Sequence, residues 1–246
     1  MIGLVTGSGF YDLPDVTHRI ESVLSTPYGD VKMTTGTWDQ VPVCFIARHG
    51  SDHSIPPHAI NYRANIWALK DAGAQAVLVT AVSGAINPDI PVGGLVLIDD
   101  FLNFTSGRAD TFFDGTDGVT HTDMSFPYSP DLQSILRRAA AAESVDLFDG
   151  AVYCTTDGPR FETPAEIKMM ERLGGDIVGM TGYPEVALAN ELGLPYAAVG
   201  VISNPAAGLN DQPLSLDDIW VIIRSCTDPL HRLMGRSIKL WAQEMA

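Results

Sequence analysis

Short apolar runs rich in Val and Ile recur along the chain with amphipathic stretches between them, and this alternation constrains the fold more than any other feature. The runs at 2–6, 41–47, 76–82, 95–99, 151–156, 176–180 and 196–203 read as buried strands. The stretches at 57–72, 130–143, 164–173, 184–191 and 216–243 read as helices, several with Pro near the start, where a missing N–H costs nothing. Strands that are apolar throughout need both faces covered. The pattern therefore predicts an α/β fold: a single domain over 1–246 with a mixed central sheet flanked by helices. No repeat or linker divides it. The longest irregular stretch, 104–129, is rich in Asp, Gly and Thr and reads as an interface element or a lid.

Composition narrows the function. Fifteen basic against thirty acidic side chains give a formal charge of −15, which repels nucleic acid and acidic membranes. Charged residues are only 18% of the chain, a weak hint of subunit contacts. Cys44, Cys154 and Cys226 lie far apart with no metal-ligand spacing, which suits a reducing compartment, and the cytoplasm is expected. The first residues lack a basic leader, and no apolar run approaches a membrane span.

The chemistry gathers at strand ends. Gly7-Ser8-Gly9 follows the first strand; glycines there let N–H groups and a hydroxyl meet an anion, although alone the tripeptide reads as a tight turn. Arg48 and His49 close the second strong strand, where α/β sheets place ligands, and Arg suits bidentate oxyanion binding. His53 and His58 follow, but with no HExxH and no suitably spaced carboxylate a metal is disfavoured. Small residues at 80–85 would let a ligand approach the backbone, as would ordinary helix–sheet packing. Phe161 beside Glu162 suits a heterocycle, or simply a helix start. Met180, Thr181 and Asn204 end two further strands, so five strand ends carry polar or small groups.

In order, GSGF at 7–10, ARHG with His53, NYRANIWALK at 61–70, GPRFET, GMTGYPE and SNPAAG resemble the trimeric purine nucleoside phosphorylases, the 5′-methylthioadenosine phosphorylase branch especially. The likeness spans roughly 2–218. It implies phosphate held among Ser8, Arg48, His49, the backbone at Ala81 and Val82, and Thr181. It implies Met180 beneath the sugar, Tyr62 and His53 near the sugar–phosphate side, Phe161 and Ala206 against the base, and Glu162 and Asn204 as the catalytic pair on its edge. It further implies a homotrimer, with His121 reaching a neighbour's site, and no metal or organic cofactor, inorganic phosphate being the co-substrate.

Family members that cleave 6-aminopurines carry Asp and a small residue where this chain has Asn204 and Glu162; those that cleave 6-oxopurines carry Asn and Glu. Glu162 can accept from the N1–H of hypoxanthine, whereas adenine N1 would repel it. Leu216 stands where ordinary 6-oxopurine enzymes meet the 5′-hydroxyl with His, followed by Ile219 and Trp220, so a 5′-methylthio group is expected. The expectation is phosphorolysis of 5′-methylthioinosine. The alternatives are methylthioadenosine or inosine and guanosine as substrates, hydrolysis without phosphate, and purine binding without catalysis. Two departures stand out: Ala81 replaces an Asn or Thr of relatives, and NPAAG replaces longer polar stretches.

Overall fold

The computed structural model describes residues 1–11, 13–116, 118–210 and 213–245. Within them, one eleven-stranded sheet carries helices on both faces. The central strands are β1 (Ile2–Thr6), β4 (Val41–Ala47), β5 (Val77–Ala85) and β11 (Tyr196–Pro205), all parallel in the order β4-β1-β5-β11. Between β1 and β4 come two strands absent from the sequence reading, β2 (Val16–Thr26) and β3 (Gly29–Trp38), an antiparallel hairpin on the β4 edge. Beyond β11, β6 (Leu95–Ile98) pairs antiparallel and then meets β8 (Leu147–Asp149). β7 (Asp100–Asn103), β9 (Val152–Thr155) and β10 (Ile177–Gly179) form a parallel wing joined to the end of β5 through β10.

Helices α1 (Tyr62–Asp71) and α4 (Gly182–Glu191) cover one face, burying Ile66, Leu69, Val186 and Leu188. Helices α2 (Pro130–Glu143), α5 (Leu216–Ser225) and α6 (Thr227–Glu244) cover the other with Leu136, Ile223, Leu233 and Ile238, while α3 (Pro164–Arg172) packs on the wing. At about 25 cal/mol per Å² of apolar surface, these two buried layers supply most of the drive to fold.

Two predicted helices divide. The stretch 57–72 becomes a 3-10 turn at Pro57–Ala59 and then α1, because Ile60 is extended and Asn61 caps α1 by accepting from the Ala64 N–H at 3.1 Å. The stretch 216–243 breaks at Cys226, since Pro229 has no N–H for a continuing helix but fits the first turn of a new one.

The sheet forks at β5, and the fork makes the site. One edge of β5 pairs with β1 only at residues 77–79 and with β10 only at 84 and 85. Residues 80–83 thus have no strand beside them on that edge, while β11 runs along the other. An unpaired stretch of backbone at a sheet's branch point is where a ligand can reach the main chain.

Candidate functional site

A cavity of about 610 Å³ opens at this fork. That size suits a nucleoside-sized ligand. The loops after β1, β4, β9 and β10 supply its wall, with the ends of β5 and β11 and one side of α5. Ser8, Arg48, His49, His53, Val82, Phe161, Glu162, Met180, Thr181, Asn204 and Leu216, all expected at the site, line this one cavity.

Three expected residues stand behind the wall. Ala81 is buried in the core below β5, so it offers no side chain to a ligand. Ala206 packs into the wing's core with Ile167 and Met170. Tyr62, 3% exposed on α1, turns its hydroxyl to the carbonyls of Pro57 and Met180 at 3.0 and 3.4 Å. It braces the Met180 loop from beneath. His121 is exposed and is not on its own chain's cavity wall.

The side of the cavity expected to hold an anion is built from buried charge. Arg48 is 2% exposed, and its Nε and Nη2 donate to the two carboxylate oxygens of Glu185 at 3.2 and 2.9 Å. The Tyr196 hydroxyl donates to the same carboxylate at 2.8 Å. The guanidinium fork expected for an oxyanion is therefore held by a buried carboxylate. Nη1 donates to the Thr80 carbonyl at 2.7 Å and to the Thr181 hydroxyl at 3.4 Å, directing that nitrogen toward the unpaired stretch of β5. Burial alone would lower the Arg48 pKa; the charge and hydrogen bonds of the Glu185 carboxylate, with Tyr196 and Tyr62, together outweigh it and raise the pKa above the ordinary guanidinium value. Glu185 and Tyr196 went unread because nothing local marks them: Glu185 follows a Pro inside a helical pattern, and Tyr196 begins an ordinary apolar strand.

His49 is also buried, and burial first, then the charges of Arg48 and His53, hold its pKa down at about 4 despite the Ile55 carbonyl. Its Nδ1 lies 2.9 Å from that carbonyl. A carbonyl only accepts, so Nδ1 carries the proton and Nε2 is bare in the neutral ring. The neutral ring can accept from a protonated phosphate oxygen; it becomes a second donor only when an anion draws a proton onto it. His53 reaches the site from a loop with φ of 57°, bonded through Nδ1 to the Tyr11 hydroxyl and packed against His49 and Trp220.

The side expected to face a base uses neutral donors and one carboxylate. Glu162, 9% exposed, accepts from the Thr156 hydroxyl at 2.7 Å through Oε1. The β11 register shifts between Ile202 and Asn204, leaving Ser203 as the extra residue before pairing resumes with Asn204 opposite Gly84. The Asn204 amide is oriented by its neighbours: Nδ2 donates to the Pro205 carbonyl and Oδ1 accepts from Ser203, both at 2.7 Å. One Nδ2 proton and one lone pair remain. Gly84 allows this placement, since a Cβ there would stand 3.1 Å from Asn204 Nδ2 and 3.3 Å from the Ala206 backbone.

The apolar wall lies deeper than expected. Leu216 is 62% exposed at the rim, while Ile219 is 8% and Ile223 1% exposed, and these two with Trp220 line the cavity from α5. Ile223 escaped the sequence reading because it falls two turns beyond Leu216 on the same helix face. Among the described residues, no three His, Cys, Asp or Glu side chains cluster as a metal site, and no helix is long and apolar enough to cross a membrane.

A glycine-lined strand end, a carboxylate-held arginine and an oriented amide on one branched sheet define a class. The chain belongs to the Phosphorylase superfamily, whose model matches residues 1–237. Within it, the chain is 46% identical to a Moorella thermoacetica protein named "Probable 6-oxopurine nucleoside phosphorylase", across 96% of this chain and 92% of that one. It is 45% identical to a Pseudomonas syringae pv. tomato protein named "Probable S-methyl-5′-thioinosine phosphorylase", across 95% and 96%. Methylthioadenosine phosphorylase from Schistosoma mansoni, solved with adenine, superposes with a TM-score of 0.93 at 29% identity, covering 98% of this chain and 91% of that one.

Proposed function

We propose that this cavity cleaves the N-glycosidic bond of a 6-oxopurine nucleoside with inorganic phosphate, and that its preferred substrate is 5′-methylthioinosine, giving hypoxanthine and 5-methylthioribose 1-phosphate. The observation that carries the reading is the pairing of a carboxylate, Glu162, with an oriented amide, Asn204, in one cavity with Arg48, His49 and Thr181. The names of the two relatives support it.

In this reading a phosphate oxygen attacks C1′ as the bond to N9 lengthens. Arg48 Nη1 and the hydroxyls of Ser8 and Thr181 hold the anion beneath the developing cation. His49 accepts from the protonated phosphate oxygen. The bond's electron pair passes into the purine, which takes up a proton from solvent to match the one that phosphate gives up on forming the ester, and Asn204 meets the charge building at its edge while Glu162 accepts from N1–H. Met180, Phe161 and the α5 wall enclose the sugar and its 5′ group. No cofactor has a step in this scheme.

The reading extends to a cytoplasmic homotrimer. Phe126 and Val119, 74% and 84% exposed in the irregular stretch, offer apolar surface for subunit contact, and sedimentation of the purified chain tests it. For the chemistry, the test is methylthioinosine cleavage with and without phosphate. Hypoxanthine and a sugar 1-phosphate should form in equal amounts only when phosphate is present; free methylthioribose without phosphate would mean a hydrolase.

A further inference from the structure

Among its described residues the stretch 104–129 holds no helix or strand, yet its first part is fastened hard to the site. The fastening is Arg108, whose side chain is 4% exposed. Its Nη2 donates to the carbonyls of Thr156, Asp157 and Met180 at 3.0, 3.2 and 2.9 Å. Its Nη1 donates to the Tyr183 carbonyl at 2.5 Å and the Tyr62 hydroxyl at 3.3 Å, and Nε lies 3.3 Å from the Asp157 carboxylate.

Those oxygens belong to two loops. Met180 and Tyr183 flank Thr181 in the turn from β10 to α4, the turn that faces phosphate and sugar. Thr156 and Asp157 open the segment from β9 to α3 that carries Phe161 and Glu162. The Thr156 carbonyl is held by Arg108 while its hydroxyl holds Glu162, so the guanidinium is one residue removed from the base-side carboxylate. The two loops touch: a Cβ on Gly158 would fall 2.4 Å from Met180 Sδ. Thr156, Asp157 and Met180 lie outside helix and strand, and Tyr183, the second residue of α4, has non-helical φ −111° and ψ 138°. Each carbonyl takes its donor from elsewhere, and a planar guanidinium can serve several in a fixed plane where an ammonium cannot.

We propose that Arg108 is a positioning residue that sets the separation between the base-holding and phosphate-holding loops, so that the irregular stretch acts as a strap across the site rather than a lid over it. The proposal rests on the reading of the cavity as a nucleoside phosphorylase site. A misplacement of about 1 Å between reacting groups costs on the order of 10²-fold in rate, while each loop can still bind its own ligand.

The test compares the native protein with Arg108→Ala and Arg108→Lys, each checked for folding by circular dichroism. In the folded variants kcat for methylthioinosine should fall about 10²-fold, while the dissociation constants of hypoxanthine alone and phosphate alone change less than about threefold. Millimolar guanidinium ion should restore kcat of Arg108→Ala at least tenfold, and Arg108→Lys, which keeps the charge without the fork, should stay impaired. If Arg108→Ala does not fold, Arg108→Lys is read alone by the same criterion. A folded variant with kcat within about threefold of native overturns the proposal, as does a loss that follows only the melting temperature. A native protein that binds hypoxanthine but never turns over removes the reading beneath it, and the positioning role with it.

Discussion

The two sides of the cavity are built in opposite ways. The anion side is made of groups drawn from the interior: Arg48 at 2%, His49 at 6%, Thr181 at 7% and Glu185 at 0% exposure, each with a stated partner. The apolar side draws on peripheral elements, with Leu216 at 62% and Phe161 at 39% exposure beside the buried Ile219 and Ile223. The anion side is thus arranged before any ligand arrives, and changing it disturbs the fold. The α5 wall can change with little effect on the sheet. The difference fits the proposed division, in which the first serves the chemistry and the second the choice of sugar.

Substitutions sharpen that division. The largest effect is expected at Glu185→Gln, which leaves the buried Arg48 without its carboxylate. Removing one partner of a buried pair costs about 3–5 kcal/mol, so the melting temperature should fall by roughly 10 °C and the KM for phosphate should rise. Thermal melts and phosphate titrations check both. Unchanged stability would show that the anion side is not held as described. Next comes Asn204→Ala, expected to lower kcat by about 10²–10³-fold while phosphate binding moves little, read by steady-state kinetics beside phosphate calorimetry.

Titration offers a third way to break the comparison. The folded His49 pKa, about 4, lies below the ordinary value of 6.5. Between those values the unfolded chain binds the extra proton, so stability is full above about pH 6.5 and falls as pH drops to about 4. The loss from this group is roughly 3 kcal/mol. Saturating phosphate should shrink it, because the anion favours the protonated ring. Chemical denaturation at a series of pH values, with and without phosphate, measures this; an equal loss in both would place the anion away from His49.

On the apolar side the effects are smaller. Ile219→Thr puts a hydroxyl in the buried part of the wall and should lower the preference for methylthioinosine over inosine by about tenfold. Leu216→Thr, at the rim, should alter it less than about twofold. Equal effects at the two positions would show that the rim discriminates as much as the buried part of the wall.

What the sequence could reveal follows the same division. The central strands were readable because strands covered on both faces are continuous apolar runs. The β2–β3 hairpin was not: β2 is exposed along most of its length, and its pairing slips between Thr17 and Ile20, so no buried face marks it. Strands β7 and β8, of four and three residues, are too short to show a period. Strand-end residues such as Arg48, Thr181 and Asn204 could be picked out because chemistry sits where buried strands stop. Their supports could not. Glu185 meets Arg48 across 137 residues of sequence, and Arg108 lies in a stretch with no periodicity at all. Tyr62 was noticed through its motif, but its direction under the Met180 loop depends on how α1 packs, which no local pattern encodes.

The most direct measurement is an internal competition: methylthioinosine and methylthioadenosine in one vessel with saturating phosphate, hypoxanthine and adenine release followed by chromatography. With Glu162 accepting from N1–H and Asn204 at the base edge, hypoxanthine should form faster by about 10²-fold or more at equal substrate. Adenine forming as fast or faster would contradict the account, because the carboxylate and amide would then not be reading the 6-oxopurine edge.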